Sequence, residues 1–352
     1  MKKGLTASLM GILLGVFMCS VGHAQEAIKL KFAQYFVPLH RVSILGDEFC
    51  QEIKKRTNGR VDIAYHTGAT LLSGMKMYQG VVSGIADIGF AHIAYTRGRF
   101  PVTEVQDLPL GFPSGWVSTH VAYDFYQKFK PAEWNDVKVL WHCATGPNII
   151  HMGSIPVRKL EDLKNKKIRG VSRVAEIVKA LGANPVSMEF ADVYESMRRG
   201  VLDGNLGPLE QLKGWKIGEV AKHITLCYQI GSVFTFYAVM NKDKWNALPD
   251  DIKKIFDEVS KEWMEKYAQV WNDVDVEAME YMKGLGRDII PLSDEEAAKW
   301  KTAVQPVIDD YKKGLESKGF KSAEIDEYIN FVKNRIPYWR NKEKELGVKA
   351  AQ

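Results

Sequence analysis

The longest unbroken pattern in the chain begins after Pro249-Asp250. Apolar side chains recur at Ile252, Ile255, Phe256, Val259, Trp263, Tyr267, Val270, Trp271, Val274, Ala278 and Met282, the spacing of one face of an α-helix. The run predicts a single helix of roughly 35 residues, about 50 Å long at 1.5 Å per residue. A chain of 352 residues suggests two lobes, each able to bury its own core. A rod of that length exceeds the diameter of either, so it is expected to lie across both.

Two other stretches alternate strand and helix. Ile28 to Phe32 alternates apolar and polar residues and leads into the loop Gln34-Tyr35-Phe36-Val37-Pro38. A helix with Val42, Leu45, Phe49 and Ile53 on one face stops at Asn58-Gly59, followed by a strand at Val61 to Tyr65. A helix from Met75 to Val82 and a buried strand from Asp87 to Phe90 complete a β-α-β-α-β order, which implies a mostly parallel sheet covered by helices. A second unit starts near residue 150. It has a turn at Leu160 to Leu163, a strand at Lys167 to Arg169 and a helix from about Val174 to Leu181. A return at Asn184 to Val186, a helix from Asp192 to Arg199 and a strand from Val201 to Gly204 follow. Val137 to Trp141 reads as a strand that crosses between the units. Ser293-Asp294-Glu295-Glu296 has the form of a capping box. A last helix is expected from Ser322 to just before Pro337, with a frayed basic tail from Arg340 to Gln352. The expected fold is therefore two-lobed α/β, each lobe a mixed, mostly parallel sheet with flanking helices. The division is residues 1–24 as a removable leader, 25–147 with 233–272 as the first lobe, and 148–232 with 273–352 as the second lobe and C-terminal helices.

The leader reading rests on Lys2 and Lys3, the largely apolar stretch from Leu5 to Val21, and small residues at the −3 and −1 positions in Gly22-His23-Ala24. That is the form of a secretory signal peptide and predicts a soluble protein outside the cytoplasm. Cys19 follows Met18, which is too large for a lipidation box. A formal charge of +5 gives no electrostatic case for nucleic acid. Cys50, Cys143 and Cys227 allow one disulfide at most, and three buried thiols are an equal alternative.

The search for catalysis is negative. The chain has no G-x-S-x-G elbow, no H-E-x-x-H, no phosphate-binding glycine loop, and no histidine pair at the i, i+4 spacing of a helical metal site. No enzyme, cofactor or metal is expected. What stands out is Lys167-Ile168-Arg169-Gly170-Val171-Ser172-Arg173. Arg169 closes a short strand, a small-residue turn follows, and Ser172 can cap the next helix. An arginine fork beside free helix amides suits a carboxylate, and in open α/β sheets ligands bind outside the carboxyl ends of strands. By position in loops and strand ends, Tyr35, Phe36, His92 and Phe234 are candidate pocket walls. Arg173 is assigned to solvent and Trp215 to the core.

Leu160-Glu161-Asp162-Leu163-Lys164 followed by Lys167-Ile168-Arg169 resembles a segment of the solute-binding proteins of TRAP (tripartite ATP-independent periplasmic) transporters. The resemblance continues through Ala180-Leu181-Gly182-Ala183-Asn184-Pro185, Asp192-Val193-Tyr194-Glu195-Ser196-Met197, Gly200-Val201-Leu202-Asp203-Gly204 and Met240-Asn241-Lys242-Asp243-Lys244-Trp245. In the N-terminal half it includes Gly80 to Asp87 and Phe100-Pro101 through Asp107-Leu108-Pro109. The resemblance implies two lobes closing over an organic anion, with Arg169 holding its carboxylate. It also implies periplasmic location, a monomer, and delivery to small and large membrane subunits. Members that bind sialic acid carry an asparagine where this chain has Gly207, and a second arginine where it reads Thr145 to His151. Asn205 and Asn148 are the amides those segments offer here. The Gly-Pro form resembles a branch for smaller organic acids, whether carboxylate or sulfonate. A binding protein feeding a sensory receptor is the alternative of the same architecture, and a secreted hydrolase the alternative of another class.

Overall fold

The computed structural model describes residues 26–351; the expected leader, with Cys19, lies outside them. In chain order the first lobe contributes β1 (Ile28–Gln34), α1 (Arg41–Arg56), β2 (Val61–His66), α2 (Met77–Val82), β3 (Ile88–His92), α3 (Gly115–Phe129) and β4 (Val137–Ala144). The chain then crosses into a second lobe of β5 (Asn148–Met152), β6 (Lys167–Arg169), α4 (Arg173–Ala180), β7 (Asn184–Val186) and α5 (Val193–Arg198). That lobe continues with β8 (Gly204–Pro208), α6 (Glu210–Gly214), α7 (Ile217–Val220) and β9 (His223–Leu226). It returns through β10 (Thr235–Asn241) and α8 (Lys242–Ala247). The helices α9 (Asp250–Gly284), α10 (Asp294–Glu316) and α11 (Ser322–Glu345) follow, with β11 (Asp288–Pro291) after α9. The first sheet has the order β2-β1-β3-β10-β4, the second β11-β9-β5-β8-β6-β7. Both are mixed: β10 runs antiparallel to β3 and β4, and β5 antiparallel to β8 and β9.

The periodic run is one helix of 35 residues. It packs on α1, α3 and β4 of the first lobe and on α6 of the second. Its apolar face buries Phe256, Trp263, Tyr267 and Trp271, and burying each such ring removes about 150–250 Å² from water. The two indoles this helix buries find acceptors: Trp263 Nε1 donates to Leu45 O at 2.8 Å, and Trp271 Nε1 to Cys143 Sγ at 3.4 Å. Gly115, opening α3, is required here because a Cβ would lie 2.6 Å from the Trp271 backbone. Cys50, Cys143 and Cys227 are buried free thiols.

The crossings between lobes run side by side. Asn148 N donates to Ser232 O at 2.7 Å, Thr145 N to Phe234 O at 3.1 Å, and Phe234 N to Thr145 Oγ1 at 3.1 Å. These bonds make the two linkers a short paired ribbon, the natural axis for relative motion of the lobes.

Several local expectations are corrected. Gly200 takes φ 71° and Val201 N bonds back to Ser196 O, so Val201 to Asp203 closes the preceding helix and the strand starts at Gly204. Only half a capping box forms at α10. Ser293 Oγ accepts from Glu296 N at 3.3 Å, while the Glu296 carboxylate accepts from Leu160 N at 2.9 Å and from Lys299. Helix α11 continues through Pro337 to Glu345. Proline removes one ladder bond, but Arg335 Nε and Trp339 Nε1, on either side of it, both donate to Asp124 Oδ2 at 2.7 Å. The tail is tied rather than frayed: Ser114 Oγ donates to Glu343, and Asn272 Nδ2 donates to Lys349 O at 2.5 Å. Helix α11 packs chiefly on α3 of the first lobe and also meets α10.

One buried acid ties the first lobe together. Asp107 Oδ1 accepts from Thr235 N at 3.0 Å at the start of β10. Burial pushes its carboxyl up to about 8, a shift that the Thr235 hydrogen bonds only partly oppose. The native state keeps this proton while the unfolded chain releases it near pH 4, so the group lowers stability progressively as pH rises from about 4 to about 8. Asp107→Asn keeps an oxygen for Thr235 N–H and removes the titration. Urea unfolding across that range is expected to show a stability slope shallower by up to about 1.4 kcal/mol per pH unit in the variant.

Candidate functional site

The cleft lies at the carboxyl ends of strands from both sheets, as the strand order requires. In the first lobe, Tyr35 and Phe36 follow β1 directly, and His92 ends β3, with Phe236 opposite it in the β10 register. In the second lobe, Arg169 ends β6 beside Asn205 of β8. Phe190 follows β7, and β8 runs into α6, which presents Glu210 and Gln211. These residues with Thr145, Trp215 and Phe234 surround one small cavity between the lobes.

Its walls are aromatic. Tyr35 stacks on Phe36 with centroids 4.6 Å apart, Phe36 meets Trp215 across the cleft at 5.6 Å, and Phe190 meets Trp215 edge-on at 5.2 Å. His92 sits between Tyr95 (3.9 Å) and Phe234 (5.0 Å).

Its charge is Arg169, 1% exposed. Nη2 donates to Met188 O at 3.1 Å and the guanidinium carbon lies 5.2 Å from the Phe190 centroid. Among the described residues no carboxylate forms an ion pair with it. Burial lowers its proton affinity from the ordinary arginine value, opposed by Tyr95 and Tyr35. The same burial, reinforced by the Arg169 charge, holds His92 well below its ordinary value, so its ring is neutral; Nδ1 has no hydrogen-bond partner. A buried cation without a protein counter-ion is costly unless an anion pairs with it.

Polar groups on the second-lobe side are oriented by their neighbours. Asn205 Nδ2 donates to Gln211 Oε1 at 2.8 Å and lies 3.2 Å from His151 Nδ1, which leaves the Gln211 amide NH₂ as the end available to the cavity. Glu210 N donates to Asp275 Oδ1 at 2.8 Å. His40, at the start of α1, accepts from Val42 N on Nδ1 at 3.2 Å, so its ring proton sits on Nε2, 3.2 Å from Glu210 Oε2.

The model of the bacterial extracellular solute-binding proteins, family 7, matches residues 35–314. The chain belongs to this family. A solute-binding protein of Albidiferax ferrireducens is 30% identical over 267 residues, covering 72% of this chain and 75% of its own. A solved TRAP periplasmic solute-binding protein of Desulfovibrio salexigens, an open complex with the C-terminus of a symmetry mate in its ligand-binding site, is 31% identical. It has a TM-score of 0.77 over 88% of this chain and 96% of that one. A TRAP solute-binding protein of Rhodoferax ferrireducens, solved with copurified benzoate, shares the fold at 23% identity and a TM-score of 0.82, covering 92% of this chain and 100% of that one.

In this TRAP solute-binding protein, Arg169, Tyr35, Phe36, His92 and Phe234 come together around one cavity. Asn148 and Ser172 do not line it. Asn148 is committed to Ser232 Oγ at 3.0 Å in the crossing ribbon. Ser172 takes φ 49° and ψ −125°, outside the extended region a capping residue needs, and makes no side-chain cap bond. Asn205 stands one shell back and acts on the cavity through Gln211. Arg173 is not solvated: Nη2 pairs with the buried Glu104 at 2.9 Å and Nη1 with Glu176 at 2.7 Å. Trp215 packs on the core, as expected, and also lines the cleft. Phe190, Glu210 and Gln211 were missed. Each follows a strand's carboxyl end, and that position was the available signal.

Gly207 explains the arrangement behind Gln211. A Cβ there would sit 2.0 Å from Gln211 Oε1 and 2.8 Å from Asn205 Nδ2, so this backbone makes room for the Asn205–Gln211 bond. Gly207→Asn is expected to displace that pair and to cost roughly 1–3 kcal/mol from overpacking, read from the denaturant midpoint. An unchanged midpoint would refute this reading of Gly207.

Proposed function

We propose that this protein captures a small organic acid in the closed cleft and hands it to the membrane subunits of a TRAP-type secondary transporter, with no bond made or broken. The observation that carries this is Arg169, a guanidinium buried at a strand end and ion-paired with no carboxylate among the described residues. A ligand carboxylate supplies the missing charge and can take two parallel N–H donors from the fork. Tyr35, Phe36, Phe190, Trp215 and Phe234 offer flat apolar faces to the rest of the molecule, which favours a compact acid with a planar or aromatic body over a sugar acid needing many hydroxyl partners. The benzoate of the Rhodoferax protein is consistent with that class. In this reading residues 1–24 direct the chain to the periplasm, where a monomer meets its transporter.

The two lobes are joined across the cleft by Arg173–Glu104, by His40–Glu210, and by Phe190 N donating to Tyr95 Oη at 3.1 Å. Closure removes the carboxylate and Arg169 from water together and so strengthens their attraction, while opening exchanges the ligand with solvent. Mass spectrometry of acid released from purified protein identifies the ligand, and calorimetric titration of that acid tests the clamp. Arg169→Ala is expected to lose about 2–5 kcal/mol of binding, the scale for one side of a buried charged pair. Arg169→Lys should keep the fold and still bind far more weakly, because an ammonium cannot reproduce a two-pronged contact. An Arg169→Ala protein that binds within threefold of wild type would overturn the assignment.

A further inference from the structure

The cavity holds a second ionisable side chain that the carboxylate clamp does not use. Glu210 lines the same space as Arg169 and is itself buried. It is fixed from three directions: its backbone N–H is held by Asp275, its helix α6 packs on α9, and its Oε2 accepts from His40 of the opposite lobe. Its other oxygen, Oε1, accepts from no described donor. Tyr35, on the opposing lobe, feels both ends of the cavity: burial chiefly raises its hydroxyl well above the ordinary value, Glu210 adds to that rise, and Arg169 opposes it.

We propose that Glu210 is the specificity-determining residue of the cleft: the ligand is a monocarboxylic acid whose body carries a hydrogen-bond donor, a hydroxyl or an amine, which Glu210 Oε1 accepts opposite the carboxylate on Arg169. The inference rests on the carboxylate reading and goes beyond it by stating what stands at the ligand's other end. A donor satisfies the free oxygen. A second carboxylate cannot donate, so it leaves that oxygen unanswered in a space where water is squeezed out. The rigidity of Glu210 matters to this argument, because a mobile side chain could turn away. His40 stops it from turning: with His40 Nδ1 occupied by Val42 N–H, the ring's Nε2 is the atom that holds Glu210 Oε2.

The test uses two matched series, benzoate, 3-hydroxybenzoate and isophthalate, and butanoate, 4-hydroxybutanoate and succinate. Each is titrated calorimetrically into the full-length mature protein and into Glu210→Gln, which retains an oxygen for His40. In whichever series binds, the wild type is expected to favour the hydroxy acid over the parent acid, and both over the diacid, by at least tenfold at each step. Glu210→Gln should bring the diacid to within a few fold of the parent acid. Should the variant prove poorly folded, the wild-type ranking alone decides. A diacid bound as tightly as the hydroxy acid, or ratios that Glu210→Gln leaves within twofold, would overturn the inference while leaving the clamp intact. If the acid released from the purified protein binds Arg169→Ala within threefold of wild type, the carboxylate reading fails and this inference fails with it.

Discussion

A guanidinium inside a protein wall, ion-paired with no acid among the described residues, sets the terms for the rest of this molecule. Leaving Arg169 in water would be easier than enclosing it among Phe190, Tyr95 and Tyr35. The fold encloses it anyway, at the end of a three-residue strand, with one edge held by the Met188 carbonyl. The aromatic surroundings exclude water, and the low polarity that results makes the pairing with an incoming anion strong. The same surroundings keep His92 uncharged, so a second positive group does not compete for the ligand.

The lobes meet through few polar contacts, and these are graded. Arg173 and Glu104 are both largely buried and bonded through two guanidinium nitrogens. Arg97 and Glu176 add an exposed pair beside them, which water and salt weaken. His40 and Glu210 seal the opposite side of the cleft. An arrangement of this kind can open without unfolding either core, because each sheet keeps its own helices and the crossing strands remain paired to one another.

The pattern of apolar residues announced the long helix, and its observed span agrees with the periodicity because burial on two lobes reinforces what spacing alone suggests. Arg169 was legible for two other reasons: it ends a strand beside a glycine turn and a helix, and it stands in the segment that resembles the family's carboxylate-holding one. Long-range partners were not legible. Nothing near Arg173 in the chain indicates that Glu104 waits on the other lobe, and nothing local separates a Trp215 that only packs on the core from one that also lines the cleft. The C-terminal helix defeated local reading at Pro337, where Asp124, from a distant element, anchors residues on both sides of the proline. Ser172 shows the converse case. A good capping residue stood in the right place, yet its backbone adopts a left-handed conformation that puts the hydroxyl out of use.

The helix from Asp250 to Gly284 belongs to both lobes at once, which makes it a gauge of their alignment as well as a brace. Each residue in an α-helix advances about 1.5 Å and turns about 100°. A single residue added or lost between the part that seats Trp263 and the part that meets Glu210 through Asp275 would rotate one seating surface out of phase with the other. Surface loops in general tolerate changes of length. This rod can change only by whole turns, and even then it must shift one wall of the cleft past the other, so the shape of the ligand's space is written into a count of residues far from the ligand itself.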